Sequence, residues 1–168
     1  MWSLKYKIIK MKKKINYITC SAWWDTDITL LPELCKQYDI NLYATELPLQ
    51  SCQKQIDLKT IPFKRVELFK QKYLTRDIRT FCQTIPFLFK VIKSINKNDY
   101  NIFVWGGNIF FVFFLGLLLP VTNTIIILHN YIEHTDKRHG LVTFIKKIYF
   151  WRMTRFLFLS KKDRKSVV

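Results

Sequence analysis

Residues 100–128 constrain the fold of this chain more than any other feature, because this long uncharged stretch could span a bilayer. The stretch is interrupted, however. The short apolar run NIFVW is followed by GGN, the longer run IFFVFFLGLLL ends at a proline, and PVTN precedes TIIIL. Short apolar runs flanking a helix-length run indicate a buried parallel strand–helix–strand unit. The alternative is a small integral membrane protein with one or two spans within residues 100–128.

The same alternation of strand and helix signals continues along the chain. INYITC and INLYAT near the N-terminus read as buried strands, DLKTIPF as a candidate third strand, and RFLFLS as a closing one. ITLLPELCKQY reads as a helix capped by Asp27. This alternation predicts an α/β fold, a parallel sheet with helices on both faces.

A long amphipathic helix is expected after the polar, basic connection at residues 64–76. Pro86 should bend this helix or lie near an irregular turn. Apolar residues spaced three or four apart define its expected buried face: Ile78, Phe81, Ile85, Leu88, Ile92 and Ile95.

The length of the chain limits the number of domains, and its net charge indicates which partners it can bind. The chain has 168 residues and a formal net charge of +16, which favours phosphate-bearing partners such as nucleic acid or anionic lipid. We expect a basic lead over residues 1–14 and one domain over 15–168. There is no CxxC pair, so no structural metal site is predicted. Nucleic-acid binding rests on charge alone, because no recognition motif supports it.

Two predicted strands end in loops that offer aromatic and glycine residues to a ligand. SAWWDTD places Trp23, Trp24 and Asp25 after the first strand, where tryptophan rings can stack on a sugar or cover the end of the core. WGGN places Gly106 and Gly107 before a helix, where glycine permits a tight turn or close approach of an anion. Ligands of open α/β sheets bind at such carboxyl edges.

The most specific loop is HNYIEHTDKRHG, which follows TIIIL and contains all three histidines of the chain. His129 comes directly after the strand, where imidazole can position a ligand hydroxyl or transfer a proton. Its neighbour Asn130 can contribute hydrogen bonds. The five-residue spacing of the histidines does not suit a zinc site on one helix face. A polar loop without a role is the alternative.

The helix predicted for LVTFIKKIYFWR is basic and aromatic. Such a helix can lie on a membrane surface, or it can be an ordinary packed helix with a solvated basic face. The residues proposed to face an anionic membrane are Lys146, Lys147, Arg152 and Arg155.

Several of these segments together resemble a known family. The segment beginning INYITCSAWWDTD, then YNIFVW, TIIILHNYIEHTDKRHG and RFLFLSKKDRKSV are similar to landmarks of the N-terminal, acceptor-side Rossmann-like domain of family-4-like GT-B glycosyltransferases. The resemblance implies a catalytic role for His129 and matches Ser160 to a strand-end serine. It implies acceptor binding by the residues of the three loops: Trp23, Trp24, Asp25, Gly106, Gly107 and Asn130.

The departures from the family pattern shape what we expect of the function. The glycine-rich first loop is replaced by SAWWDTD, and the C-terminal donor domain with its Glu-x7-Glu carboxylates is missing. The resemblance therefore implies the acceptor-binding half of an enzyme that moves a sugar from a nucleotide-sugar donor to a glycan or lipid-linked acceptor, without a cofactor. We expect this half to be truncated, inactive alone, cytoplasmic and peripheral at the inner face of the membrane.

Overall fold

A computed structural model of the chain describes residues 12–47, 58–72, 77–95, 98–106, 109–128, 140–153 and 155–158. These residues form six parallel strands and four helices. In chain order the elements are β1 Lys14–Cys20, α1 Trp24–Gln37, β2 Asp39–Glu46, β3 Arg65–Lys70, α2 Ile78–Ser94, β4 Tyr100–Val104, α3 Ile109–Leu118, β5 Thr124–Leu128, α4 Gly140–Arg152 and β6 Phe156–Phe158. The predicted α/β class is confirmed.

The strand order in the sheet is β3-β2-β1-β4-β5-β6, and all neighbours pair in parallel. This is the order of the Rossmann fold. The strands β2 and β3 follow one another on one side of β1. The chain then crosses to the other side of β1, where β4, β5 and β6 follow in order. The carboxyl ends of β1 and β4 therefore flank a topological switch point, where ligands of such sheets bind.

The helices cover the two faces of the sheet unequally. One apolar cluster joins α2, α3 and α4 to the sheet through residues such as Phe87, Leu115 and Tyr149. The other cluster joins only α1 and the segment around Ile61 to the opposite face. Within the described parts of the chain, no helix covers β4, β5 and β6 on the α1 side of the sheet.

Residues 100–128 form β4, α3 and β5, as the interrupted pattern predicted. The helix α3 has 10 residues and is therefore about 15 Å long, half the thickness of a bilayer core. A search of the described residues found no helix with the length and apolar character needed to cross a membrane.

The third strand lies elsewhere than predicted. The described part of DLKTIPF, residues 58–63, is not a strand. The strand β3 lies instead within residues 64–76, the predicted polar connection. This strand is at the sheet edge, and its residues alternate between exposed and half-buried. Glu67 pairs with Arg65 and Lys90, and such charges protect an edge from pairing with other chains. An edge strand of this kind lacks the apolar run that marks buried strands.

The helix α2 continues through Pro86 from end to end, but its buried face is rotated from the predicted one. Leu88 is buried as expected, whereas Ile78 is 68% exposed. Thr80 and Thr84 are buried in place of the predicted isoleucine. The Thr84 hydroxyl can be buried because it donates to the Thr80 carbonyl at 2.7 Å. The buried residues are Thr80, Thr84, Phe87, Leu88 and Val91.

Three asparagines form a buried ladder across the centre of the sheet. Asn16 lies in register with Asn41 of β2 and Asn101 of β4. The Asn41 amide donates to Asn16 at 2.9 Å, and the Asn16 amide donates to Asn101 at 3.0 Å. All three side chains are at most 4% exposed. The ladder aligns the three strands, because a shift in register would leave buried amides without partners.

Candidate functional site

Trp23, Trp105 and Gly106 follow β1 and β4 at the carboxyl edge of the sheet, and we name the region where these two loops meet the switch-point crevice. Trp23 ends a 3₁₀ turn over Ser21–Trp23, and its indole Nε1 donates to the Trp105 carbonyl at 2.8 Å. This bond links the two loops that bound the switch point. The Trp105 ring points away into the core, where it meets Tyr149 edge-on with ring centroids 4.7 Å apart.

Gly106 is the residue that allows Trp23 to occupy this position. Its φ is +155°, a backbone conformation that side chains rarely adopt. A β-carbon at this position would overlap the Trp23 indole nitrogen and lie 3.3 Å from Cys20 Sγ. The glycine therefore serves close packing of a tryptophan against the backbone, as well as the turn itself.

The structure separates the two tryptophans of SAWWDTD. Trp23 is half-buried and faces the crevice, whereas Trp24 is 6% exposed and belongs to the core beneath α1. Trp24 therefore covers the end of the core, the second of the two roles that the sequence left open, and does not offer its ring to a sugar. Asp25 is exposed in the first turn of α1, and its carboxylate accepts from the Thr26 N–H at 2.9 Å.

Asp27 is not the helix cap that the sequence predicted. The helix begins three residues earlier, and Asp27 lies inside it with 1% exposure. Its carboxylate accepts hydrogen bonds from the Tyr17 hydroxyl at 2.6 Å and the Thr19 hydroxyl at 2.7 Å. Tyr17 and Thr19 occupy alternate positions of β1 on the face that α1 covers, so the carboxylate ties the start of α1 to the central strand.

Burial has the largest effect on the pKa of the Asp27 carboxyl. It raises the pKa of Asp27 to about 6, although the hydrogen bonds from Tyr17 and Thr19 favour the ionised form; the nearby charge of Asp25 adds to the increase. Burial and the Asp27 carboxylate raise the pKa of Tyr17 above its usual value, so this phenol stays a proton donor. A buried, shifted carboxyl beside a cleft is typical of a functional site.

We expect Asp27 to make stability fall between about pH 4 and pH 7. The unfolded carboxyl ionises near its ordinary pKa of 3.8 and the folded one near 6, so rising pH favours the unfolded chain across that window. The expected loss is about 3 kcal/mol in the free energy of unfolding relative to Asp27→Asn. Urea titrations of both proteins at several pH values measure this difference, and parallel pH profiles would contradict it.

A cleft runs beside α1 over β4, β5 and β6, which no described helix covers on this side of the sheet, and we name it the α1 cleft. Its volume is about 400 Å³, within the range of small-molecule sites. The cleft is mainly apolar, with a few polar groups at its wall. The residues that line it are Tyr17, Trp23, Thr26, Asp27, Thr29, Leu30, Glu33, Val104, Ile127 and Leu157.

The basic helix forms as predicted, but its cations differ in their surroundings. Lys147 and Arg155 are exposed, whereas the Arg152 guanidinium donates to the Gly116 carbonyl near the end of α3. Arg152 therefore satisfies a helix-end carbonyl that has no partner within its own helix. Two aromatic side chains on α4 are strongly exposed, Trp151 by 87% and Phe144 by 55%. The Lys146 side chain lies outside the description.

Several predicted site residues lie outside the described residues: Gly107, His129, Asn130 and Ser160. Their roles stay predictions. Sequence reasoning missed the Tyr17–Thr19–Asp27 cluster, since capping explained Asp27 locally. The available signal was two hydroxyl residues at alternate positions of an otherwise apolar strand, because buried hydroxyls need partners.

Comparison with models of known protein families gave no match, and the curated proteins and the solved structures gave none either.

Proposed function

We propose that this chain is the acceptor-binding half of a GT-B glycosyltransferase, which transfers a sugar from a nucleotide-sugar donor to a glycan or lipid-linked acceptor. The observation that carries the proposal is the Trp23 indole, fixed at the switch point of a Rossmann-ordered sheet. The Trp23 ring is held by its bond to the Trp105 carbonyl, and its flat apolar surface suits a sugar ring.

Sugar transfer would need catalytic and hydrogen-bonding groups in addition to Trp23. The strand β5 ends at Leu128 on the carboxyl edge beside β4. We propose that His129, the next residue in the sequence, acts at the reacting centre with Asn130 as a hydrogen-bonding neighbour. A donor domain would bind the nucleotide sugar and close the cleft between the two halves. We therefore expect this chain alone to bind acceptor without transferring sugar.

Binding measurements test this assignment. Isothermal titration of the full chain should show binding of oligosaccharides or polyprenyl-phosphate-linked sugars and none of UDP- or GDP-sugars. Trp23→Ala should weaken acceptor binding about tenfold, the loss of one stacked aromatic. Trp151→Ala removes an 87% exposed tryptophan of α4 and serves as the matched control for the oligosaccharides, which carry no lipid. Binding of nucleotide sugars in preference to acceptors would contradict the proposal.

We also propose a peripheral site on the cytoplasmic membrane face, at the outer surface of α4. Phe144, Lys147 and Trp151 are spaced three and four residues apart, so they share one exposed helix face. Aromatic side chains enter the lipid interface, while Lys147 and Arg155 supply attraction to anionic headgroups. Arg152 is engaged with α3 and is not needed for this contact.

Co-sedimentation with vesicles containing phosphatidylglycerol tests the membrane site. Combining Phe144→Ala with Trp151→Ala should weaken binding about tenfold or more, because two interfacial anchors are lost. Phe89→Ala removes a 69% exposed ring from α2 and should leave binding unchanged. Equal loss with both proteins would place the contact elsewhere.

A further inference from the structure

The α1 cleft combines an apolar floor with one buried acceptor group. Val104, Ile127 and Leu157 from three adjacent strands form the floor, and Leu30 of α1 forms part of the wall. Leu157 is 49% exposed, so apolar surface remains open to solvent there. A cleft of about 400 Å³ with this composition suits an apolar small molecule or a short segment of a lipid chain.

Asp27 is the group that would orient such a ligand. Each of its carboxylate oxygens accepts one hydrogen bond, from Tyr17 or from Thr19, and each retains capacity for another. The two hydroxyls hold the carboxylate rigidly in the wall of the cleft. A ligand group that donates a hydrogen bond would add to the two bonds that the carboxylate already accepts.

The charges around the cleft select against anions. The described residues that line it include two carboxylates, Asp27 and Glu33, and no lysine or arginine. Glu33 pairs with Lys36 at 2.6 Å on the exposed side of α1, which leaves Asp27 as the uncompensated charge. A phosphate or carboxylate in the cleft would lose water without gaining a cation from the described residues that line it. This local preference is opposite to that of the whole chain, whose net charge is +16.

We propose that the α1 cleft binds an apolar molecule bearing a hydrogen-bond donor, an ammonium or a hydroxyl group, which donates to Asp27. The apolar body lies over Val104, Ile127 and Leu157. Trp23 lines the cleft and also carries the proposed glycan binding, whereas Asp27 and the apolar floor belong to the cleft alone. The cleft therefore binds such a molecule whether or not a glycan stacks on Trp23.

A series of decyl compounds tests the proposal with the full chain. Decylamine, 1-decanol, decanoate and decyl phosphate share one apolar chain and differ only in the headgroup. Below micelle-forming concentrations at neutral pH, decylamine should bind about tenfold or more tighter than decanoate and decyl phosphate, with 1-decanol between them. Non-specific attraction to a +16 chain would give the reverse order. Equal or tighter binding of the two anions overturns the proposal.

Paired substitutions on α1 locate the site. Leu30→Arg places a long cation in the cleft and should abolish decylamine binding. Ile28→Arg adds the same charge to the same helix at a position that does not line the cleft, and should leave binding unchanged. Asp27→Asn should reduce the preference for decylamine over 1-decanol to within about threefold, because the carboxylate charge is lost. Unchanged decylamine binding by Leu30→Arg overturns the assignment to this cleft.

Discussion

Replacing Gly106 with alanine should lower the free energy of unfolding by about 4 kcal/mol, the combined cost of overpacking and of an unfavourable backbone conformation. The added methyl group would overlap the Trp23 indole nitrogen and lie 3.0 Å from its Cε2. Trp23 would have to move, which breaks its hydrogen bond to the Trp105 carbonyl. Chemical denaturation followed by tryptophan fluorescence measures both the loss of stability and the displaced indole.

Gly140→Ala is the matched control for this substitution. A β-carbon at Gly140 meets no atom within 4 Å, so its stability should change by less than about 1 kcal/mol. Similar losses for the two variants would show that the contact between Gly106 and Trp23 is unimportant.

Replacing Asn16 with alanine should also cost about 4 kcal/mol, because it leaves two buried polar partners unsatisfied and opens a cavity. The Asn41 amide loses its acceptor and the Asn101 oxygen loses its donor. Urea unfolding monitored by circular dichroism measures the effect. Gln37→Ala removes an exposed side-chain amide and should alter stability by less than about 1 kcal/mol.

The ladder also predicts strong non-additivity. Changing Asn16, Asn41 and Asn101 together to leucine removes donors and acceptors at the same time, so no central amide is left unpaired. The triple variant should therefore lose much less stability than the sum of the three single alanine variants. An additive loss would mean that the three amides do not act as a network.

Buried strands were readable from the sequence, and the exposed strand was not. The β1, β2, β4 and β5 segments carry apolar runs, as is typical of parallel strands, and most of their residues are buried. The edge strand β3 carries Arg65, Glu67 and Lys70, whose charges are typical of a loop when neighbours are unknown. Its pairing with β2 depends on the tertiary arrangement, which the local pattern does not contain.

The candidate site was predicted only in part for a similar reason. The carboxyl-edge position of Trp23 and Gly106 follows from the strand–loop–helix pattern and is confirmed. Asp27 could be placed correctly only with the partners that β1 brings to it, since a carboxylate near a helix start has capping as its ordinary explanation. Likewise, the bond from Arg152 to the Gly116 carbonyl depends on how α3 and α4 pack.

The central claim is that glycans bind at the switch-point crevice. The most direct measurement is a ¹H–¹⁵N spectrum of the indole groups of the five tryptophans during titration with oligosaccharide, with Trp23 assigned through Trp23→Phe. The Trp23 indole signal should shift and saturate with oligosaccharide, because its N–H is fixed on the Trp105 carbonyl within the crevice. It should not respond to nucleotide sugars. A Trp23 indole signal that does not shift with oligosaccharides, or that shifts only with nucleotide sugars, would contradict the claim.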